Sequence, residues 1–235
     1  MKLSVIIPVL NEREELPSTL ATLKSRLPTA EIIVVDGGST DGTREMLNQR
    51  AETIALDATR GRGSQLNAGA KIATGEVLLF LHGDCWLPGD AWKLMQQALE
   101  QPQVQGGAFL IRFAEQHPRS LSLIAKGINA RTRVTKTATG DQAIFVRREV
   151  FDRIGGFEAW PFFEDVRFVT DLKQYGQFAI LTSPVTISAR RYIAHGPWRT
   201  TFLMYALRVG YWLGVHPTKL YRWFQDVRPH LQNVS

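Results

Sequence analysis

The chain has one cysteine, Cys85, in 235 residues. An internal disulfide is therefore excluded, and the composition suits a reducing compartment. No stretch reaches 18 uncharged apolar residues, so no transmembrane helix is expected. Low-complexity segments and internal repeats are missing, which leaves no ground for disorder. Two nucleotide signatures are also missing. No GxGxxG follows the first apolar run, which argues against a dinucleotide-binding enzyme, and no GxxxxGK[ST] occurs, which argues against a P-loop NTPase. The opening MKLSVIIPVL does not read as a signal peptide. Its apolar run is short, Pro8 interrupts it, and Glu12, Glu14 and Glu15 follow. A cytoplasmic protein is the expectation.

What is present suffices for a core: 44% of residues are hydrophobic. The length fits one large domain, or a domain with a helical appendage. The net charge of +6 is unevenly placed. Residues 190–235 hold Arg190, Arg191, Arg199, Arg208, Lys219, Arg222 and Arg228 against Asp226 alone, interleaved with tryptophans and tyrosines. That mixture is less like a nucleic-acid arm than like an interfacial segment, and no nucleic-acid partner is expected. Two readings of residues 198–228 stand side by side. They hold the protein against an anionic membrane and present a lipid-linked acceptor, or they form a packed cap or dimer surface.

The most informative stretch is EIIVVDGGSTDGT, residues 31–43. Its β-branched run suits one buried strand and is too short for a helix. It ends on Asp36 and two glycines, and a helical stretch follows from Thr43. Ligands of open parallel sheets sit at such strand tips. Asp36 there can accept hydrogen bonds from a base or ribose, and Asp41 is placed as a helix N-cap. An ordinary β–α connection uses the same residue types.

In chain order, LSVIIPV (3–9) reads as the first strand, with a helix from about Glu14 to Lys24. Thr53–Leu56 reads as a third strand. Arg60 and Arg62 alternate with glycines before a helix that ends at Gly75; flexible backbone, guanidiniums and a helix N-terminus favour an anion such as a diphosphate. EVLLFL (76–81) is a buried strand running into His82-Gly83-Asp84-Cys85. A carboxylate at a central strand tip is costly unless paired or bound to a cation. Asp84 is thus a candidate ligand for Mg²⁺ or Mn²⁺ bridging phosphates, with His82 assisting, since imidazole suits Mn²⁺ better. A helix over 91–99, a strand over 105–113 and a helix over 118–130 follow. A polar loop to Asp141 and a strand over 143–146 come next. VRREVFDRIGGF then gives a short helix stopped by Gly155-Gly156. Glu164 and Asp165 open the next helix, where the dipole favours negative charge. Either an ordinary acidic first turn or a general base for an incoming hydroxyl fits them. Residues 178–188 read as one or two short strands, then two helices around 198–213 and 217–228.

Five motifs in this order, SVIIPVLNE, VVDGGSTDGT, LFLHGDC, the RRxxFxxIGGF pattern ending at Phe157, and FFEDVRF, resemble the family 2 glycosyltransferases. The likeness spans about residues 1–195, closest to a small bacterial non-processive subgroup with Gly140-Asp141-Gln142 and Ser188-Ala189-Arg190-Arg191. It implies a GT-A fold of the α/β class: a mainly parallel central sheet flanked by helices, with residues 196–235 as a basic, aromatic helical extension of the same domain. It implies inverting transfer from a nucleotide-diphosphate sugar, a UDP-sugar above others, to an acceptor hydroxyl. By that resemblance Pro8, Asn11 and Glu12 line the nucleotide pocket and Asp36 contacts the base. Asp84 matches the last Asp of the DxD metal motif. Asp165 matches the catalytic base, with Glu164 beside it. Asp141 and Arg191 fall near the acceptor or diphosphate. The chain departs from the family pattern at His82, where the first Asp of DxD often stands, and lacks the QxxRW motif of processive members. A nucleotide-sugar-binding or membrane-surface module without catalysis is the rival reading. A sugar-nucleotide pyrophosphorylase ranks lower, because VLNERE replaces the glycine-rich loop expected after the first strand.

Overall fold

A computed structural model describes residues 1–114 and 118–226. Arg228 and the end of the helix expected to reach it lie outside the described residues. The elements run β1 (Leu3–Val9), α1 (Leu16–Arg26), β2 (Glu31–Asp36), α2 (Thr43–Asn48), β3 (Ile54–Asp57), α3 (Arg62–Ile72), β4 (Val77–Phe80), β5 (Cys85–Trp86), α4 (Ala91–Leu99), β6 (Val104–Phe113) and α5 (Arg119–Thr135). A 3₁₀ turn at Gly140–Gln142 precedes β7 (Ile144–Arg147), α6 (Arg148–Ile154), α7 (Glu164–Leu172) and β8 (Gln177–Ile187), and the chain closes with α8 (Arg190–His195), α9 (Pro197–Trp212) and α10 (Pro217–Asp226).

One mixed sheet of eight strands, in the order β3-β2-β1-β4-β7-β6-β8-β5, carries everything else. Strands β3, β2, β1 and β4 are parallel, β7 is antiparallel to β4 and β6, and β6 and β8 are parallel again. All seven residues of β1 are buried. A parallel strand covered on both faces needs such a continuous apolar run. Pro8 is tolerated within this central strand because β4 pairs only with Leu3–Ile6; the proline, which has no N–H, lies past that ladder.

Helices α1, α4 and α5 cover one face around Val5, Leu79 and Phe109, while α3, α6 and α7 cover the other around Ile6, Leu78 and Phe168. A third cluster joins Phe162, Phe163 and Val166 to Leu207 of α9 and Leu220 of α10. The C-terminal helices therefore pack on the segment that leads into α7.

Several elements differ from the sequence reading. The segment over 178–188 is a single strand of 11 residues. It advances from Leu181 to Val185 while β6 advances from Phe109 to Ile111. That bulge absorbs Ser183-Pro184 within the one strand, where the sequence left one or two open. Helix α5 runs on to Thr135, and α8 is a helix where the sequence marked only the start of a basic tail. Asp41 does not occupy the N-cap, which Gly42 holds in the left-handed region. Asp41 Oδ1 still accepts the Thr43 N–H at 2.9 Å, and its Oδ2 accepts the Arg13 N–H at 3.0 Å, so the carboxylate ties the β1 and β2 loops together.

Candidate active site

The ends of β1 and β2 bring Pro8, Asn11, Glu12 and Asp36 to one edge of the sheet. Asp36 is buried, and its carboxylate accepts the N–H groups of Gly38 at 3.3 Å and Ser39 at 3.0 Å and the Ser39 hydroxyl. Asn11, at φ 56°, accepts the Thr40 N–H at 2.8 Å, and its own N–H donates to Ser39 Oγ at 2.9 Å. The two loops thus form one hydrogen-bonded rim. Gln65 of α3 fixes it from beneath. Its buried amide donates to the carbonyls of Val9 at 2.9 Å and Val35 at 2.8 Å, bridging both strand tips beside the Gly37 N–H that Val9 also accepts at 3.0 Å. Nothing in the sequence marks Gln65, which sits beside the apolar stripe of its helix.

Glu12 faces the next tip. It accepts from Arg190 at 2.9 Å, and Arg190 also reaches Glu15 at 3.3 Å and Asp84 at 3.8 Å. Burial, with Asp84 nearby, raises the Glu12 carboxyl above its ordinary range, against the pull of Arg190. Arg190 belongs to a segment the sequence picked out, but its ion pair with Glu12, 178 residues away, was not legible there.

His82, Asp84 and Cys85 place their ligating atoms within 4.8 Å of one another. Their fit to a hard divalent cation is uneven. Asp84 is 30% exposed. Burial and the charge of Arg62 lower the His82 imidazole, which leaves it neutral with a free lone pair. Cys85 is fully buried, and burial together with Asp84 pushes its thiol far up, so it stays protonated. Oxygen-preferring cations gain nothing from a thiol. The donor set that fits is Asp84 with His82.

Asp165 reaches the same space from the other face. One carboxylate oxygen accepts the Gly140 N–H at 2.7 Å and the other the Val166 N–H at 2.7 Å. Gly140 is required here: a Cβ on it would lie 2.6 Å from His82 Nε2 and 3.5 Å from Asp165 Oδ2. The turn holding Gly140 and Asp141 is set by Gln142, which is fully buried and bonds the Phe109 carbonyl at 3.0 Å and the Thr139 N–H at 3.1 Å. Phe163, just before the acidic pair, adopts φ 61°. Such strain in a bulky residue persists where surrounding packing over-determines it, here the aromatic cluster with Phe162 and Tyr211.

Glu164 and Asp165 are neighbours with different surroundings. Glu164 is 2% exposed and holds Arg62 at 2.7 Å. Burial raises its carboxyl while Arg62 opposes the shift. The Arg62 guanidinium, so anchored, projects into the cavity with Asp165; Glu164 itself does not line it. Close packing of α3 against the 155–163 loop sets this contact. A Cβ on Gly63 would meet the Glu158 carbonyl at 2.4 Å, and Asn67 exchanges two hydrogen bonds of 2.8 Å with the Phe157 backbone. Arg60 is exposed and outside this space.

A cavity of about 150 Å³ joins these groups. Arg62, His82, Asp84, Asp141 and Asp165 form its inner wall, and Arg131 of α5, Arg191 and Tyr192 of α8 and Thr200, Tyr205 and Arg208 of α9 form its outer wall. The structure therefore brings Asp84, Asp165, Asp141, Arg62, His82 and Arg191 together. It puts Asp36, Asn11 and Pro8 on the neighbouring rim and leaves Arg60 apart. Arg131, Thr200 and Arg208 were missed. Their only trace in the sequence is a lone arginine, Arg208, on the apolar face shared by Met204, Leu207 and Tyr211.

The comparisons with known proteins agree with this architecture. The chain is 31% identical over 175 residues to the glycosyltransferase AglE of Haloferax volcanii, covering 66% of this chain and 55% of that protein. It is 34% identical over 111 residues to the undecaprenyl-phosphate 4-deoxy-4-formamido-L-arabinose transferase of Photorhabdus laumondii subsp. laumondii, covering 43% of this chain and 34% of that one. The chain thus spans about half or less of the length of these relatives. Among solved structures, the mannosyltransferase PcManGT of Pyrobaculum calidifontis in complex with GDP-Man and Mn²⁺ superposes with a TM-score of 0.64 at 23% identity, covering 88% of this chain and 62% of that one. S. aureus TarS 1-349 in complex with UDP-GlcNAc gives 0.64 at 18%, covering 80% and 58%. The fold is GT-A. Residues 4–155 match glycosyl transferase family 2, and the chain belongs to that family.

Proposed function

We propose that the chain transfers a sugar, with inversion, from a nucleoside diphosphate sugar to an acceptor hydroxyl, with a UDP-sugar as the favoured donor. The observation that carries this is the meeting of Asp84, Arg62 and Asp165 in one cavity beside the Asp36 rim. The rim takes the nucleoside, with Asp36 facing the base or ribose. The diphosphate extends toward Asp84 and Arg62. Asp84 and His82 would hold a divalent metal, Mn²⁺ or Mg²⁺, which when bound neutralises charge on the diphosphate. Asp165, fixed by two backbone N–H groups, removes the proton of the acceptor hydroxyl as its oxygen bonds to the anomeric carbon. The bond to the diphosphate breaks and its electron pair leaves with the phosphate oxygen. Arg62 and Arg191 stabilise that developing charge. One displacement suffices, so no second carboxylate is needed on the opposite face.

A relative named as an undecaprenyl-phosphate transferase supports a lipid-linked acceptor. So does α9. No helix of the described residues is long and apolar enough to cross a membrane. Yet Trp198, Phe202, Tyr205, Val209 and Trp212 recur at helical spacing and are all at least 38% exposed. Exposed Arg199, Lys219 and Arg222 flank them, and Lys219 lies 5.4 Å over the Trp223 ring. This apolar stripe with basic flanks suits peripheral docking on an anionic bilayer, from the cytoplasmic side.

Thermal stability with UDP, GDP, TDP and CDP, each with and without Mn²⁺ or Mg²⁺, tests the donor reading. A nucleotide at about 100 times its dissociation constant adds roughly 2.7 kcal/mol. A metal-dependent shift with one nucleotide, lost in Asp84→Ala, is expected. Absence of any shift would remove the nucleotide pocket.

A further inference from the structure

The outer wall of the cavity holds cationic groups that the transfer chemistry above does not use. Arg208 is 4% exposed, and its Nη1 has no hydrogen-bond partner. Arg131 Nε, nearby on α5, also lacks one, although the Arg131 Nη2 donates to Gln142 at 3.2 Å. Thr200 is 5% exposed, and its hydroxyl is unpartnered too. Among the described residues neither arginine forms an ion pair within 4.0 Å. All three side chains line one wall of the same cavity, with exposed Arg191 at its mouth.

A buried guanidinium without an ion-pair partner is strongly unfavourable, and the half-buried Arg131 guanidinium nearby repels it further. Arg208 shows the cost: burial, with Arg131 adding, pulls it down to about 10. Asp141 and Asp165 line the cavity too but are engaged elsewhere, Asp141 with the Thr139 hydroxyl at 2.6 Å and Asp165 with two backbone N–H groups. All three side chains line the cavity, and two forked guanidiniums with a hydroxyl are the donor set that suits a tetrahedral oxyanion, which offers several acceptor oxygens.

We propose that Arg208, Arg131 and Thr200 form a phosphoryl-binding subsite, separate from the donor diphosphate, that receives a phosphate group carried by the acceptor. This rests on the glycosyltransferase reading and deepens it. The acceptor enters past α9, and its phosphate seats on the outer wall. Asp165 on the inner wall is left for the hydroxyl. Tyr205 both lines the cavity and belongs to the exposed stripe, so an apolar chain attached to that phosphate has a continuous path to the surface.

Calorimetric titration of the full chain at low salt tests this with two probes, inorganic phosphate and octyl phosphate. One phosphate is expected to bind per chain, with an affinity unchanged by saturating UDP. Arg208→Met and Arg131→Gln are each expected to weaken it at least tenfold and leave UDP binding intact. Removing an uncompensated buried charge should also raise the melting temperature of Arg208→Met without phosphate, whereas a merely structural arginine would lower it on replacement. Tighter binding of octyl phosphate than of inorganic phosphate identifies an amphiphilic acceptor, and equal binding a water-soluble phosphate ester. Competition between phosphate and UDP would overturn the proposal, because the guanidiniums would then serve the donor. Unchanged phosphate binding in Arg208→Met, or no phosphate binding in a chain that binds UDP, would also overturn it. Phosphate binding without binding of UDP, GDP, TDP or CDP would instead sink the donor reading and leave this subsite standing.

Discussion

At the tips of β1 and β2, Asp36, Ser39, Asn11, Thr40 and Gln65 satisfy one another before any ligand arrives. Across the cavity, on α5 and α9, the buried donors of Arg131, Thr200 and Arg208 have no partner. Among the described residues five buried side-chain atoms are orphaned; those three and Glu164 account for four, and Arg44 supplies the fifth. The rim is preorganised, its ordering completed on folding, so a nucleotide meets fixed donors and acceptors. The outer wall stores an electrostatic cost that a ligand of opposite charge can relieve. Stability and binding are therefore expected to align on the first side and oppose each other on the second.

The largest effect is expected between the two sides. Asp165→Asn keeps the shape and one of the two backbone contacts, since its amide nitrogen cannot accept an N–H, and it cannot take a proton. Transfer should fall by about 10²–10⁴-fold, with nucleotide binding unchanged. Turnover equal to wild type would remove Asp165 from the mechanism and leave Asp141 as the next carboxylate to test.

The sharpest test of the comparison is a pair of variants of opposite sign. Gln65→Leu removes the amide that bridges the Val9 and Val35 carbonyls, of which Val9 keeps the Gly37 N–H, and should cost about 1 kcal/mol and weaken nucleotide binding. Arg208→Met should gain stability while losing phosphate. Denaturant unfolding of both proteins decides it. If both are destabilised, the outer wall is as self-satisfied as the rim and the contrast fails.

A milder effect is expected on the exposed stripe. Phe202→Ser with Trp212→Ser touches side chains 77% and 58% exposed, so stability should stay within about 0.5 kcal/mol. Co-sedimentation with anionic vesicles should drop several-fold. Undiminished sedimentation would assign membrane contact to the basic residues alone.

Much of the parallel half could be read in the chain because its signals are local. LSVIIPV, EIIVVD and VLLF are continuous apolar runs, and each ends on the polar residues that form the rim and the Asp84 tip. The acidic pair that opens α7 was visible for the same reason. The division of labour between Glu164 and Asp165 was not, since it depends on Arg62 arriving from a helix about 100 residues away. The outer wall was hidden more deeply. Arg131, Thr200 and Arg208 sit on ordinary helices, and nothing local shows that packing of α9 on Phe163 buries them around one space. Residues 178–188 could be one strand or two from the sequence, and only the bulge against β6 shows how a single strand carries Ser183-Pro184.

The smallest expected effect lies at the far end of the parallel half and extends its self-satisfied character to the bottom of the sheet. Glu31 accepts from Ser4 Oγ at 2.5 Å and from the Thr74 N–H at 2.7 Å and hydroxyl at 2.9 Å, while Gly75 N–H donates to Ser4 at 2.8 Å. Burial would raise the Glu31 carboxyl, but the bonds from Ser4 and Thr74 outweigh it and hold the group below its ordinary value. A carboxyl lowered on folding contributes stability above its unfolded pKa, and that contribution is lost as pH falls through the folded value. Glu31→Gln should therefore be slightly less stable than wild type at pH 7, by under about 1 kcal/mol because solvent screens the site. The gap should close on acidification below about pH 4, near the unfolded carboxyl value. A gap independent of pH would mean that the Ser4–Glu31–Thr74 contacts act by shape alone, and that charge has no part in closing this end of the sheet.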